Sequence, residues 1–215
     1  TVLIEGKLYK KGEVVKTILT DIEGVASTSA DLLPYGKYRI EESKAPEGYL
    51  TDGAKPIEFE ITEDGKIVDL TGEDTSIYNQ VKRGDLEGVK IGAGTHQRLA
   101  GVPFRITSKT TGESHVIVTD DNGQFSTASD WVSHKQNTNE GKTSEDGIWF
   151  GTSEPDDSKG ALLHDTYEIE ELRCDSNKGL KLIPPFDIIV SRNHTVIDLG
   201  TLTDEYEKEI SIHTT

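Results

Sequence analysis

Two glutamates fall where a strand pattern places apolar residues. In Leu33-Pro34-Tyr35-Gly36-Lys37-Tyr38-Arg39-Ile40-Glu41-Glu42, a period of two puts Tyr38, Ile40 and Glu42 on one face. In Leu162-Leu163-His164-Asp165-Thr166-Tyr167-Glu168-Ile169-Glu170-Glu171 it does the same for Tyr167, Ile169 and Glu171. A carboxyl aimed into an apolar layer is either half of an ion pair with Arg or Lys, or it is held neutral because desolvation disfavours its charge. Held neutral, it is a group for moving protons. Glu41 and Glu170 alternate outward and are expected to be solvated.

The elements that would position these groups are short strands between turn signals. Val2 to Ile18 reads as strand, turn at Lys11-Gly12-Glu13, and strand; Val25–Thr28 and the Tyr38 strand follow. Glu58–Ile61 and Ile67–Leu70 are expected to form a hairpin around Asp64-Gly65, and Ser76–Asn79 a closing strand. The order then recurs: Phe104–Ile106, Val116–Val118, a tight turn at Asp120–Gly123, Phe125–Thr127, the Tyr167 strand, Phe186–Val190 and Thr201–Asp204. The second copy opens with an additional strand, Asp85–Ile91, and carries an insertion over about 129–160. No helical periodicity of useful length is present, so the expectation is all-β: two tandem Ig-like β-sandwich domains, the second with a long insertion. Their spans would be 1–82 and 83–206, with 207–215 as a tail or the start of a further domain.

Composition narrows the function. The chain has 215 residues, with 39 acidic against 23 basic and a formal charge of -16. That charge argues against nucleic acid as a partner, since a phosphate backbone requires a basic patch. No secretion signal, membrane span or lipidation motif is legible, and with no Met, even at position 1, the chain reads as a piece of a longer protein. Cys174 stands alone, so no internal disulfide can staple the fold. The six histidines lack metal-ligand spacing and no phosphate-cradling or nucleophile-elbow motif occurs, so neither a metal nor another cofactor is expected.

The stretch from Leu33-Pro34-Tyr35-Gly36 to Ala45-Pro46-Glu47-Gly48-Tyr49, with the Thr20-Asp21 turn before it and Asn79 after it, resembles the SpaA/Cna-B domains of Gram-positive surface proteins. Residues 84–204 resemble a diverged member through the internal repeat and the Tyr-x-Ile-x-Glu pattern, with Arg173-Cys174 replacing Ala-Pro. The resemblance implies a prealbumin-like sandwich in extracellular, cell-wall-anchored adhesins and pilins. It also implies an intramolecular isopeptide bond between Lys and Asn or Asp. Such a bond needs a neutral lysine, a protonated glutamate that polarises the acceptor carbonyl, and close confinement of all three in an apolar core.

Placed on that pattern, Lys90 is the candidate nucleophile, Glu171 the proton shuttle and Asp204 the acceptor, with Asp198 the alternative acceptor. In the first half Glu42 and Asn79 occupy the matching positions. Lys7 is their early lysine but lies one residue out of register with the inward face, and a lysine upstream of residue 1 is the alternative. A buried Lys90–Glu171–Asp204 network that never reacts is the plainer reading of the same residues.

The expected role is a monomeric stalk region flanked by neighbouring domains of one surface protein, with no enzymatic turnover and no membrane insertion. The alternative is an adhesin module in which Trp131 and Trp149 of the insertion contact a host glycan or protein; the plainer role for them is to pack the insertion onto the sandwich. Arg83-Gly84-Asp85 spells an integrin-type tripeptide but lies at a junction entering a strand, and is discounted.

Overall fold

The computed structural model describes residues 1–138, 147–207 and 210–214. It is all-β, with no α-helix among the described residues, and divides into two compact units. The first comprises Thr1–Pro46 and Leu50–Gln80, the second Glu47–Tyr49 and Val81–Thr215.

In the first unit, β1 (Val2–Ile4) and β2 (Lys7–Tyr9) form a hairpin, and β3 (Gly36–Ile40) pairs antiparallel with β5 (Ile57–Ile61). Two short strands, β4 (Tyr49–Leu50) and β6 (Gln80–Val81), lie where the chain passes between the units. The first hairpin turns at Glu5-Gly6, earlier than Lys11–Glu13. Glu5 and Gly6 have φ of 48° and 80°, the twist that a two-residue connection between right-twisted strands requires. Val14–Ile18, Val25–Thr28, Ile67–Leu70 and Ser76–Asn79, expected as strands, are irregular. Ser76–Asn79 forms no backbone ladder among the described residues, and a strand exists only by pairing its backbone groups.

The second unit is a sandwich of two sheets. One has the order β10-β7-β15-β13, built from β7 (Arg83–Gly92), β10 (Gln124–Ser126), β13 (Leu180–Lys181) and β15 (Val196–Tyr206), with β11 (Leu162–Leu163) also on β7. The other runs β14-β12-β8-β9, from β8 (Pro103–Ser108), β9 (Ser114–Val118), β12 (Asp165–Glu171) and β14 (Phe186–Val190). All pairings are antiparallel except β7 with β15, the first and last long strands of the unit.

Between the sheets, Leu86, Phe104, Ile106, Phe125, Tyr167 and Ile169 are among the fully buried side chains, with Phe104 stacked on Phe125 at 4.9 Å. Gly88 is part of this packing: a Cβ there would meet the Phe125 ring at 2.7 Å. Asp120 Oδ1 accepts from Asn122 N and Gln124 N, closing the turn between β9 and β10. Residues 210–214 form no strand, while Lys208, Glu209 and Thr215 lie outside the described residues.

Candidate functional site

Alternation along three strands delivers three ionisable side chains to one place. On β12 the inward residues are Tyr167, Ile169 and Glu171; on β7 they include Leu86, Gly88 and Lys90. Asp204 is the buried residue near the end of β15. Register does the rest, because the parallel pairing sets Lys90 opposite Leu202 and Asp204 opposite Gly92.

Lys90 Nζ lies 2.8 Å from Asp204 Oδ1 and 3.8 Å from Glu171 Oε1, and all three side chains are fully shielded from solvent. The ammonium nitrogen also donates to Ile91 O at 3.0 Å and Leu202 O at 3.4 Å. Neither carboxyl oxygen of Asp204 has an aligned hydrogen-bond donor among the described residues, despite the short approach of Nζ. Its close polar neighbour is thus the Lys90 nitrogen, at 2.8 Å from Oδ1. Glu171 is better supplied: Ile183 N donates to Oε1 at 3.2 Å and Asn177 Nδ2 to Oε2 at 3.0 Å. Burial, and then the adjacent Asp204 carboxyl, push the Glu171 pKa up to about 7; the Ile183 amide, the Lys90 charge and Asn177 pull the other way. Near neutral pH it is therefore divided between acid and base forms.

The other candidates are arranged differently. Asp198 is exposed, and its Oδ1 accepts from Gly200 N at 2.7 Å in the irregular part of β15, so it does not reach Lys90's pocket. In the first unit Asn79 Nδ2 donates to Glu42 Oε1 at 2.5 Å and to Leu50 O at 3.2 Å. Lys7 is exposed, with its ammonium 4.7 Å from the Tyr9 ring centroid, and is no part of that hydrogen bond. The tyrosines repeat more faithfully: Tyr38 Oη donates to Pro34 O at 2.7 Å and Tyr167 Oη to Leu163 O at 2.8 Å.

The described part of the insertion, residues 129–138 and 147–160, packs Trp149 against Arg83, while 139–146 lie outside the described residues. Trp149 is only 6% exposed, and its ring lies under the Arg83 guanidinium at 3.6 Å. Its indole N–H donates to Ser153 O at 2.7 Å, and His134 packs 5.4 Å away. Trp149 is thus not available as a ligand-contacting residue, whereas Trp131 is 41% exposed. Arg83 donates further to Phe150 O and to the carbonyls of Gly160 and Ala161, so Arg83-Gly84-Asp85 is built into the fold. Two residues carried no signal in the sequence. Arg83 stands there only in the discounted Arg83-Gly84-Asp85 tripeptide, and Asn177 in no motif.

Residues 4–76 match the SpaA prealbumin-like fold domain. The resemblance read from the sequence holds for that stretch. The SpaA match includes Glu42 and stops short of Asn79, Lys90, Glu171 and Asp204. Among solved structures, the TIE protein of Bacillus anthracis shares 18% identity at a TM-score of 0.53, over 88% of this chain and 28% of that one. GBS52, the minor pilin of Streptococcus agalactiae, shares 14% at 0.41, over 91% and 70%. BcpA, the major pilin subunit of Bacillus cereus, shares 16% at 0.33, over 64% and 36%. The likeness to the TIE protein shows a shared fold, and the chain spans under a third of that protein's length. No curated protein matches the chain. No helix among the described residues is long and apolar enough to cross a membrane.

Proposed function

We propose that this chain is a structural stalk region of a Gram-positive cell-wall-anchored surface protein, locked by an intramolecular isopeptide bond between Lys90 and Asp204. The observation that carries the reading is the 2.8 Å approach of Lys90 Nζ to Asp204 Oδ1 within a fully buried triad that includes Glu171. In this setting the charged pair can pass one proton from Nζ to the Asp204 carboxylate, giving a neutral amine and a neutral acid. Nζ then attacks Cγ. Glu171, in its acid form, gives its proton to the departing hydroxyl, which leaves as water, and recovers one from Nζ. One N–C bond forms, one C–O bond breaks, and Glu171 ends as it began. Confinement supplies the effective concentration, so no external enzyme is required.

The position of the bond suits a load-bearing part. It would join β7 to β15, so that force entering near Arg83 and leaving near Tyr206 crosses a covalent link and bypasses residues 91–203. The partners of such a region are neighbouring domains of the same extracellular protein. Its chemistry is a single self-directed event, without turnover.

Intact mass spectrometry tests this. The expected mass is one water below that of the sequence, with the full mass restored in Lys90→Ala and in Glu171→Ala. A wild-type chain at full mass would overturn the reading.

A further inference from the structure

Asn177 is fully buried on a 3-10 turn, Asp175–Asn177, that follows the Glu171 strand. Its side chain is fixed at both ends. Oδ1 accepts from Cys174 N at 2.8 Å, while Nδ2 divides between Glu171 Oε2 at 3.0 Å and Leu172 O at 2.9 Å. The amide orientation is therefore set by a backbone donor. Only one carboxyl oxygen of Glu171, Oε1, remains on the Lys90 side, and the Ile183 amide pins it there.

The first unit contains the same arrangement from a different source. There Asn79 Nδ2 divides between Glu42 Oε1 and the Leu50 carbonyl. By the order of the two copies in the sequence, Asn79 matches Asp204, although it lies on an irregular segment and Asp204 on a strand. An aspartate cannot donate as an amide does, so with Asp at the acceptor position the donor must come from elsewhere.

We infer that Asn177 is a positioning residue for the Lys90–Asp204 condensation, replacing the amide donor that an asparagine at the acceptor position would supply. This rests on the isopeptide reading above. By holding Oε2, Asn177 keeps Oε1 facing Nζ, and by donating to the carboxyl it limits how far burial raises the Glu171 pKa. Removing it would both loosen the carboxyl and make it a weaker acid.

The test is a refolding time course. The full chain is assembled by chemical ligation of synthetic segments in denaturant and diluted into buffers spanning neutral pH. Loss of water is followed by intact mass and folding by tryptophan fluorescence. Asn177→Ala removes the amide without adding charge; Asn177→Asp keeps the acceptor for Cys174 N but sets a second carboxyl oxygen against Glu171 Oε2 in place of the donor. The expected result is fluorescence recovery like that of wild type, condensation slower by about tenfold or more, and a pH midpoint of the rate displaced upward. Adding Asp204→Asn to Asn177→Ala is expected to recover much of the rate, with ammonia lost in place of water. Condensation at the wild-type rate and pH midpoint in both single variants would overturn the inference alone. A wild-type chain that never loses water would overturn the isopeptide reading and this inference with it.

Discussion

Lys90 and Asp204 touch without being register partners. On the parallel pair Lys90 faces Leu202 and Asp204 faces Gly92, yet Nζ reaches Oδ1 at 2.8 Å. Nζ also donates to Ile91 O at 3.0 Å and Leu202 O at 3.4 Å, so the end of the lysine is held between the two strands. The contact therefore ties the last strand of the second unit to its first by side-chain reach as well as by backbone pairing.

Removing either partner is expected to cost the unit much of its stability. Asp204→Ala takes from a buried ammonium the closer of its two carboxyl partners, leaving Glu171 Oε1 at 3.8 Å, at about 3–5 kcal/mol. Where the proposed Lys90–Asp204 bond has formed, the substitution instead removes a crosslink whose closed loop is on the order of 100 residues, about 5 kcal/mol in a chain-entropy account. Thermal unfolding should show a large drop in the midpoint for Asp204→Ala, and a much smaller one for Asp198→Ala.

Condensation should depend on pH through Glu171. In the proposed condensation its acid form donates to the leaving oxygen, and burial followed by the Asp204 carboxyl raises its pKa to about 7. The acid form is thus present below that value and lost above it. The rate of water loss on refolding should fall as pH rises through about 7, and Glu171→Gln should remove this dependence along with most of the rate.

Arg83 should behave as a structural residue of the insertion. Arg83→Ala leaves the Phe150, Gly160 and Ala161 carbonyls without its N–H groups and uncovers the Trp149 ring, an expected loss of about 2–4 kcal/mol. Arg83→Lys should recover little, because an ammonium cannot reproduce the planar fork over the indole. Tryptophan fluorescence and protease susceptibility of the insertion would register the change.

The two tyrosine hydrogen bonds offer an internal comparison. Tyr167→Phe strands a carbonyl beneath a fully buried ring, at about 1–2 kcal/mol, while Tyr38→Phe should cost less because its ring is half-buried and water can replace the lost donor. Urea unfolding of each variant against wild type measures the difference.

The sequence by itself determined the all-β character and the faces of the long strands. Period-two alternation is a local property, so it placed Glu171 with Tyr167 and Ile169, and Lys90 with Leu86 and Gly88, before any pairing was known. It could not determine which expected strands find partners. Ser76–Asn79 carries a strand pattern but stays irregular, since pairing depends on a neighbour distant in sequence. Nor could it reveal Asn177 or Arg83. A polar residue in a turn reads as solvated, and only the tertiary fold, by closing the Asp175–Asn177 turn over Glu171 and the insertion over Arg83, buries those groups and makes their hydrogen bonds obligatory.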